Sequence, residues 1–238
     1  MVKIRVLGIS ATPIYDGNCD KLVQYALKEA EKMGDVETEF ITTANKEIAT
    51  CTHCQWCIEN MAPCKVQDDL QPIYESMRQA DGIIFSSPAW LNTLAPFLLN
   101  LFSRARYQVF FTNEFRNKVA GLLTLGFLGF GMEHAIDTLR DLTSCFNMIP
   151  VANGSALSST RAYGQRPAYL KNGVLDDKHG LETVKKAAIR VVEISRMIKF
   201  ARDAGMDLPS EYQFTVTGGR VKIKEQRIFT DGVWRDTK

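Results

Sequence analysis

No stretch of the chain reaches the about 18 consecutive apolar residues that a membrane-spanning helix needs. The N-terminus, MVKIRVLGIS, lacks the charged, apolar and small-residue regions of a secretory signal and runs straight into a strand-like pattern. Both absences predict a cytoplasmic protein with no membrane partner. No run of Lys and Arg with interleaved aromatics occurs and the formal net charge is only +2, so the basic footprint of a nucleic-acid binder is missing. Also missing are the G-x-G-x-x-G dinucleotide fingerprint, internal repeats and low-complexity segments. What remains is 238 residues, 45% hydrophobic and 24% charged, ample for one sizeable core.

Apolar strand-like runs alternate with helical patterns along that chain, the signature of βαβ units around a parallel sheet. Residues 3–9, 36–41, 82–87, 118–125 and 148–153 read as buried or half-buried strands. Leu22, Val23, Ala26, Leu27 and Ala30 share one face of a helix after the first strand. A helix from about Leu70 turns Ile73, Met77 and Ala80 inward, others are expected near 95–106 and 132–146, and a long one over about 180–204 carries Val184, Ala187, Val191, Ile194 and Ile198. This order predicts an α/β, doubly wound five-stranded sheet of flavodoxin-like order 2-1-3-4-5 over residues 1–205. Residues 206–238 break the pattern. They alternate with period two around Gly218-Gly219 and again before Asp231-Gly232, which predicts a β-hairpin extension able to pack on its own domain or on a partner subunit.

In such sheets ligands sit at the carboxyl ends of the strands where strand order reverses. The loop GISATPIYDGNCDK offers Ser10, Thr12, Pro13, Asn18 and Cys19 beside a helix start, whose free N–H groups and dipole suit a phosphate without a lysine. A plain capped turn would look the same. The second loop, SSPAWLNTLAP, places Pro88, Ala89, Trp90, Leu91 and Asn92 where backbone polar groups and apolar surface can meet a flat ring. The third, TLGFLGFGMEHA, adds Thr124, Gly126 and Gly129, the glycines permitting close backbone approach. Together they describe a site for a phosphate joined to a flat aromatic ring.

The stretch CTHCQWCIENMAPC sets Cys51, Cys54, Cys57 and Cys64 in the order C-x2-C-x2-C-x6-C within a segment spanning 50–67. Thiols stay reduced in the cytosol, so such a cluster binds metal or does redox chemistry more often than it forms disulfides. Structural zinc usually draws on two knuckles a dozen or more residues apart. Three cysteines in x2 steps with a near fourth suit a [4Fe–4S] cubane, whose irons each take one sulfur. Zinc, and free or transiently oxidised thiols, stay open as alternatives. His53 reads as a solvated or hydrogen-bonding side chain rather than a fifth ligand. Cys145 reads as apolar core, His134 as a surface helix position, and Asp68 and Asp69 as helix-capping carboxylates.

These stretches resemble the iron–sulfur flavoproteins, within the NADPH-dependent FMN reductase group of flavodoxin-like proteins. The resemblance rests on CTHCQWCIENMAPCKVQDD, on ADGIIFSSPAW and on GISATPIYDGN, and covers about residues 3–150 closely and the final helix loosely. It implies FMN and [4Fe–4S], with Cys51, Cys54, Cys57 and Cys64 as cluster ligands and Ser10, Thr12 and Asn18 in the phosphate loop. It also implies a homodimer or homotetramer that passes electrons from a ferredoxin-like donor to a small-molecule acceptor such as dioxygen or peroxide. The chain departs from the family where Ala11-Thr12-Pro13-Ile14 replaces an arginine-bearing loop and where Leu99 and Ser103 replace a lysine and an aspartate. The last departure bears on direct docking of a nicotinamide nucleotide. Two other functions compete: an NAD(P)H-dependent FMN or quinone reductase with structural zinc, and a redox-sensing binding module.

Overall fold

The structure is a computed structural model that describes residues 2–158, 173–206, 227–230 and 233–236. The chain opens with β1 (Ile4–Ser10), α1 (Asn18–Glu31) and β2 (Val36–Thr42), followed by the short α2 (Trp56–Glu59) and α3 (Leu70–Gln79). Next come β3 (Gly82–Trp90), a two-residue strand β4 (Thr93–Leu94), α4 (Pro96–Arg104), β5 (Val119–Gly126), α5 (Met132–Cys145), β6 (Ile149–Leu157) and α6 (Lys178–Asp203). The sheet runs β2-β1-β3-β5-β6 with all neighbours parallel, and β4 folds back antiparallel on the end of β3. With β4 set aside this is the expected 2-1-3-4-5 order. The small strand was not foreseen because a two-residue run carries no periodicity.

Alternating side chains send each strand's apolar groups to two separate layers. Leu7, Ile9, Ile83 and Phe85 pack against α3, α4 and α5 on one face. Ile4, Val6 and Ile84 pack against α1 and α6 on the other, with the α1 stripe of Leu22, Val23, Ala26, Leu27 and Ala30 fully covered. At about 25 cal/mol per Å² of apolar surface, each buried Leu or Ile contributes about 1.5–3 kcal/mol. The same layering corrects one expectation. Cys145 is exposed, not core. The covered stripe of α5 runs through Ala135, Ile136, Leu139 and Thr143, and Cys145 falls off it. His134 is exposed as expected.

In the extension, β7 (Arg227–Thr230) and β8 (Val233–Asp236) pair antiparallel. The hairpin expected around Gly218-Gly219 lies outside the described residues. Among the described residues no helix is long and apolar enough to cross a membrane.

Candidate functional site

Strands β1, β3 and β5 end side by side, so the three loops that follow them converge. They enclose a cleft of about 190 Å³ lined by Thr12, Pro13, Asn18, Cys19, Pro88, Ala89, Trp90 and Gly126 of the expected residues. Ile14, Leu125, Phe127 and Ser158 complete the lining, and no periodicity or spacing marks them out in the sequence.

The β1 loop is held from below. Thr12 N–H donates to Thr43 Oγ1 at 2.9 Å, Thr43 Oγ1 donates back to Thr12 O at 3.0 Å, and Thr12 Oγ1 accepts from Ile14 N–H at 3.1 Å. Gly17 caps α1 without any side-chain hydrogen bond, and a helix start of this kind suits an anion. Asn18 Oδ1 accepts from Val174 N–H at 2.9 Å, which ties the loop to the segment before α6. Cys19 donates to Ser86 Oγ at 3.3 Å, and burial pushes its thiol up to about 12. It is therefore a neutral thiol at any ordinary pH. Ser10 is fully buried beneath the loop, and its Oγ makes no hydrogen bond among the described residues.

The β3 loop forms the opposite wall. Trp90 is 43% exposed and Leu91, with a left-handed φ of 54°, is 90% exposed at the tip of the β3–β4 hairpin. Ser87 Oγ accepts from Ala95 N–H at 2.9 Å, and Thr124 Oγ1 donates to Ser87 O at 3.0 Å, so Thr124 braces the β3 loop rather than facing the cleft. Asn92, Thr124 and Gly129 line a neighbouring cavity of about 760 Å³ with His134, Arg140 and Asn153. Gly131, at φ 72°, starts α5 directly against the Leu91–Asn92 backbone.

The cysteine segment is a closed loop. Glu47 N–H donates to Asp69 Oδ2 at 2.8 Å, Asp69 N–H donates to Glu47 O at 3.1 Å, and Ala49 N–H donates to Asp68 Oδ2 at 3.0 Å. Asp68 Oδ1 also accepts from Leu70 N–H at 3.2 Å, so one of the two carboxylates does meet the helix start while both close the neck. Helix α4 grips this neck: Asn100 Nδ2 donates to Ile48 O at 2.9 Å, and Arg104 pairs with Asp68 and donates to Ala49 O at 3.2 Å. Against the cost of burial, these donors hold the Asp68 carboxyl below its ordinary range. Inside the loop His53, Gln55 and Met61 all take left-handed φ values of 53°, 61° and 47°. His53 is exposed and its Nδ1 lies 2.7 Å from Gln55 Nε2, the hydrogen-bonding role expected of it.

Cys51, Cys54, Cys57 and Cys64 line one cavity together with Lys65, Arg104 and Arg106. None of the four is in a disulfide. The backbone N–H of Trp56 draws the Cys54 thiol below its ordinary value, and burial pushes Cys57 above it. No three His, Cys, Asp or Glu side chains among the described residues converge as the shell of a single ion would require. Four thiols beside Lys65, Arg104 and Arg106 form a donor set whose chemistry suits a thiolate-ligated group that is anionic overall. Arg104 adds an orphaned donor: it is 2% exposed, yet its Nε has no partner among the described residues. Sequence reasoning missed Arg104 and Arg106, since nothing in their spacing connects them to cysteines some forty residues earlier.

The model of the NADPH-dependent FMN reductase family matches residues 4–162. An iron–sulfur flavoprotein of Methanocaldococcus jannaschii is 34% identical over 200 residues, covering 82% of this chain and all of that one. The chain belongs to the iron–sulfur flavoproteins of the NADPH-dependent FMN reductase family. A second such relative, from Methanosarcina thermophila, is 29% identical over 84% of this chain and all of its own. Among solved structures, RosB with a bound flavin intermediate matches with a TM-score of 0.67 at 17% identity, covering 99% of this chain and 91% of that one. An NAD(P)H:quinone oxidoreductase from Methanothermobacter marburgensis matches at 0.55 and 14%, over 79% of this chain and 96% of that one. Both show the flavodoxin-like fold. By its family the chain is an FMN-dependent oxidoreductase, with an electron donor and an acceptor.

Proposed function

We propose that this protein carries FMN in the cleft and a [4Fe–4S] cluster at Cys51, Cys54, Cys57 and Cys64, and relays electrons between a one-electron donor of the ferredoxin kind and a small acceptor such as dioxygen or peroxide. FMN exchanges electrons singly or in pairs, and the cluster exchanges them singly. The chain's own residues do the rest. The uncapped start of α1 with Thr12 and Asn18 would hold the phosphate, Pro88, Ala89 and Trp90 would flank the ring, and Gly126 would allow the β5 loop to approach it. The observation that carries the reading is that four cysteines, separated by up to thirteen positions, face one cavity walled by two arginines and a lysine. Helix α4 starts against the ring-binding loop and ends at that cavity. Its eight steps from Pro96 to Arg104 span about 12 Å at 1.5 Å per residue.

A zinc site is the weaker alternative, because structural zinc usually draws on two knuckles a dozen or more residues apart, whereas these four cysteines run from Cys51 to Cys64. Direct use of NAD(P)H remains the second reading of the donor, and the family's description favours it. Ile14, Tyr15, Trp90, Leu91, Leu128 and Phe130 leave apolar surface around the cleft, which supports a homo-oligomer with the flavin near a subunit boundary.

The test is protein purified without air and assayed for FMN, iron, sulfide and zinc, beside a Cys54→Ala variant. Wild type should hold FMN, iron and sulfide, and the variant should lose iron and sulfide while keeping FMN. A single zinc in wild type, or full iron and sulfide in Cys54→Ala, overturns the assignment.

A further inference from the structure

Arg104 is the largest fully buried side chain among the described residues, an expensive place for a guanidinium. Its attachments explain where the charge is aimed. One terminal nitrogen is held by Asp68 and by Ala49 O; the other lies 3.5 Å from Cys64 Sγ and 3.4 Å from Val66 O. The side chain therefore reaches from α4 through the neck of the loop to one of the four sulfurs, and its Nε remains without a partner among the described residues. A fixed cation that only sealed the neck would need Asp68 and the two carbonyls. It would not need to stand against a thiol.

We propose that Arg104 is the positioning residue of the cysteine site: it fixes Cys64 and sets how readily the group held there accepts an electron, with Asp68 setting how much of its charge is felt. The proposal rests on the [4Fe–4S] reading above. Adding one electron makes an anionic cluster more negative, and hydrogen bonds to its sulfurs together with a nearby buried cation favour that state. Asp68 works the other way. It orients the guanidinium and cancels part of its field at short range, where buried charges are weakly screened.

The two residues therefore predict shifts of opposite sign. In Arg104→Gln the cation and the fork are lost, and the cluster's one-electron reduction equilibrium should fall at least tenfold, about 59 mV. In Asp68→Asn the cation is uncompensated, and the midpoint should rise. The experiment is a potentiometric titration of the holoprotein with dithionite, following the cluster by electron paramagnetic resonance and FMN by absorbance, with iron and sulfide measured on each sample. FMN content and the flavin midpoint should be unchanged in both variants. Shifts in the same direction, or none, in variants with full iron and sulfide overturn the proposal, because a purely structural brace would loosen the loop alike in both. Should Arg104→Gln fail to assemble, Asp68→Asn alone decides: a raised midpoint supports the proposal and an unchanged or lowered one overturns it. A wild-type protein without iron and sulfide overturns the cluster reading and this proposal with it.

Discussion

Gly131 is where the wall of the cleft can be moved by a single methyl group. A Cβ built there sits 2.9 Å from Asn92 Cα and 2.9 Å from Leu91 C, and presses into Leu91 O. Ordinary carbon contacts lie at about 3.5–4.0 Å, so the β3–β4 hairpin or the start of α5 has to retreat by roughly an ångström. The hairpin resists, because Ala89 pairs with Leu94 and Trp90 with Thr93. Alanine at φ 72° also carries about 1–2 kcal/mol of left-handed strain. With backbone displacement the cost of Gly131→Ala comes to about 2–4 kcal/mol, a fall in Tm of roughly 5–15 °C for a chain of this size. Ala89 and Trp90 line the cleft, so FMN affinity should fall about tenfold for each 1.4 kcal/mol that reaches the ring. Gly205 provides the control, with a similar φ of 75° and nothing within 4 Å of its would-be Cβ. Thermal melts and FMN fluorescence titrations of the two alanine variants separate strain from collision. Equal melting temperatures and equal FMN affinities would refute the packing argument.

Asn18→Ala removes the acceptor of Val174 N–H, and a buried unpaired N–H costs about 1–3 kcal/mol, so both stability in urea and FMN affinity should drop. Asn18→Asp keeps that acceptor but adds negative charge beside the phosphate, so it should hold stability while losing FMN; equal behaviour of the two variants would remove Asn18 from the phosphate site. Burial pushes the Lys118 ammonium down to about 8 from 10.5. Between those values the unfolded chain binds the extra proton, so this group's contribution to stability rises with pH by up to about 1.4 kcal/mol per unit. Urea unfolding of wild type and Lys118→Met from pH 8 to 10.5 should therefore show the wild type gaining on the variant; a constant difference would sink the idea.

The fold was legible because its strands are short apolar runs separated by helices of clear period, so β1, β3 and β5 needed no tertiary information. Cys51 to Cys64 were legible as a group because their chemistry is carried by spacing within one loop. Arg104 was not, because its role arises from α4 crossing over the neck of that loop. The exposure of Cys145 is not legible in the sequence, because an apolar neighbourhood along the chain is not an apolar face: the helix turns Thr143 inward and Cys145 outward. Asp68 was legible as a local cap, and its larger role again waits on a residue distant in sequence.

The closed neck at residues 47–49 and 68–69 makes the segment between them a separable cassette. Its two ends already meet, so the sheet feels little of what is threaded through the ring, and loop length adds only slowly to the entropy of closure. Apart from Cys64 and Asp68, α4 grips main-chain carbonyls, at Ile48, Ala49 and Val66, rather than side chains. A lineage could therefore rewrite most of the ring, or lose it for a short turn, without disturbing the strands around the cleft. In the other direction, residues 47–69 belong with Asn100, Arg104 and Arg106, which grip the neck and wall the cavity, when the cysteine ring is moved onto a flavodoxin-like scaffold that lacks one.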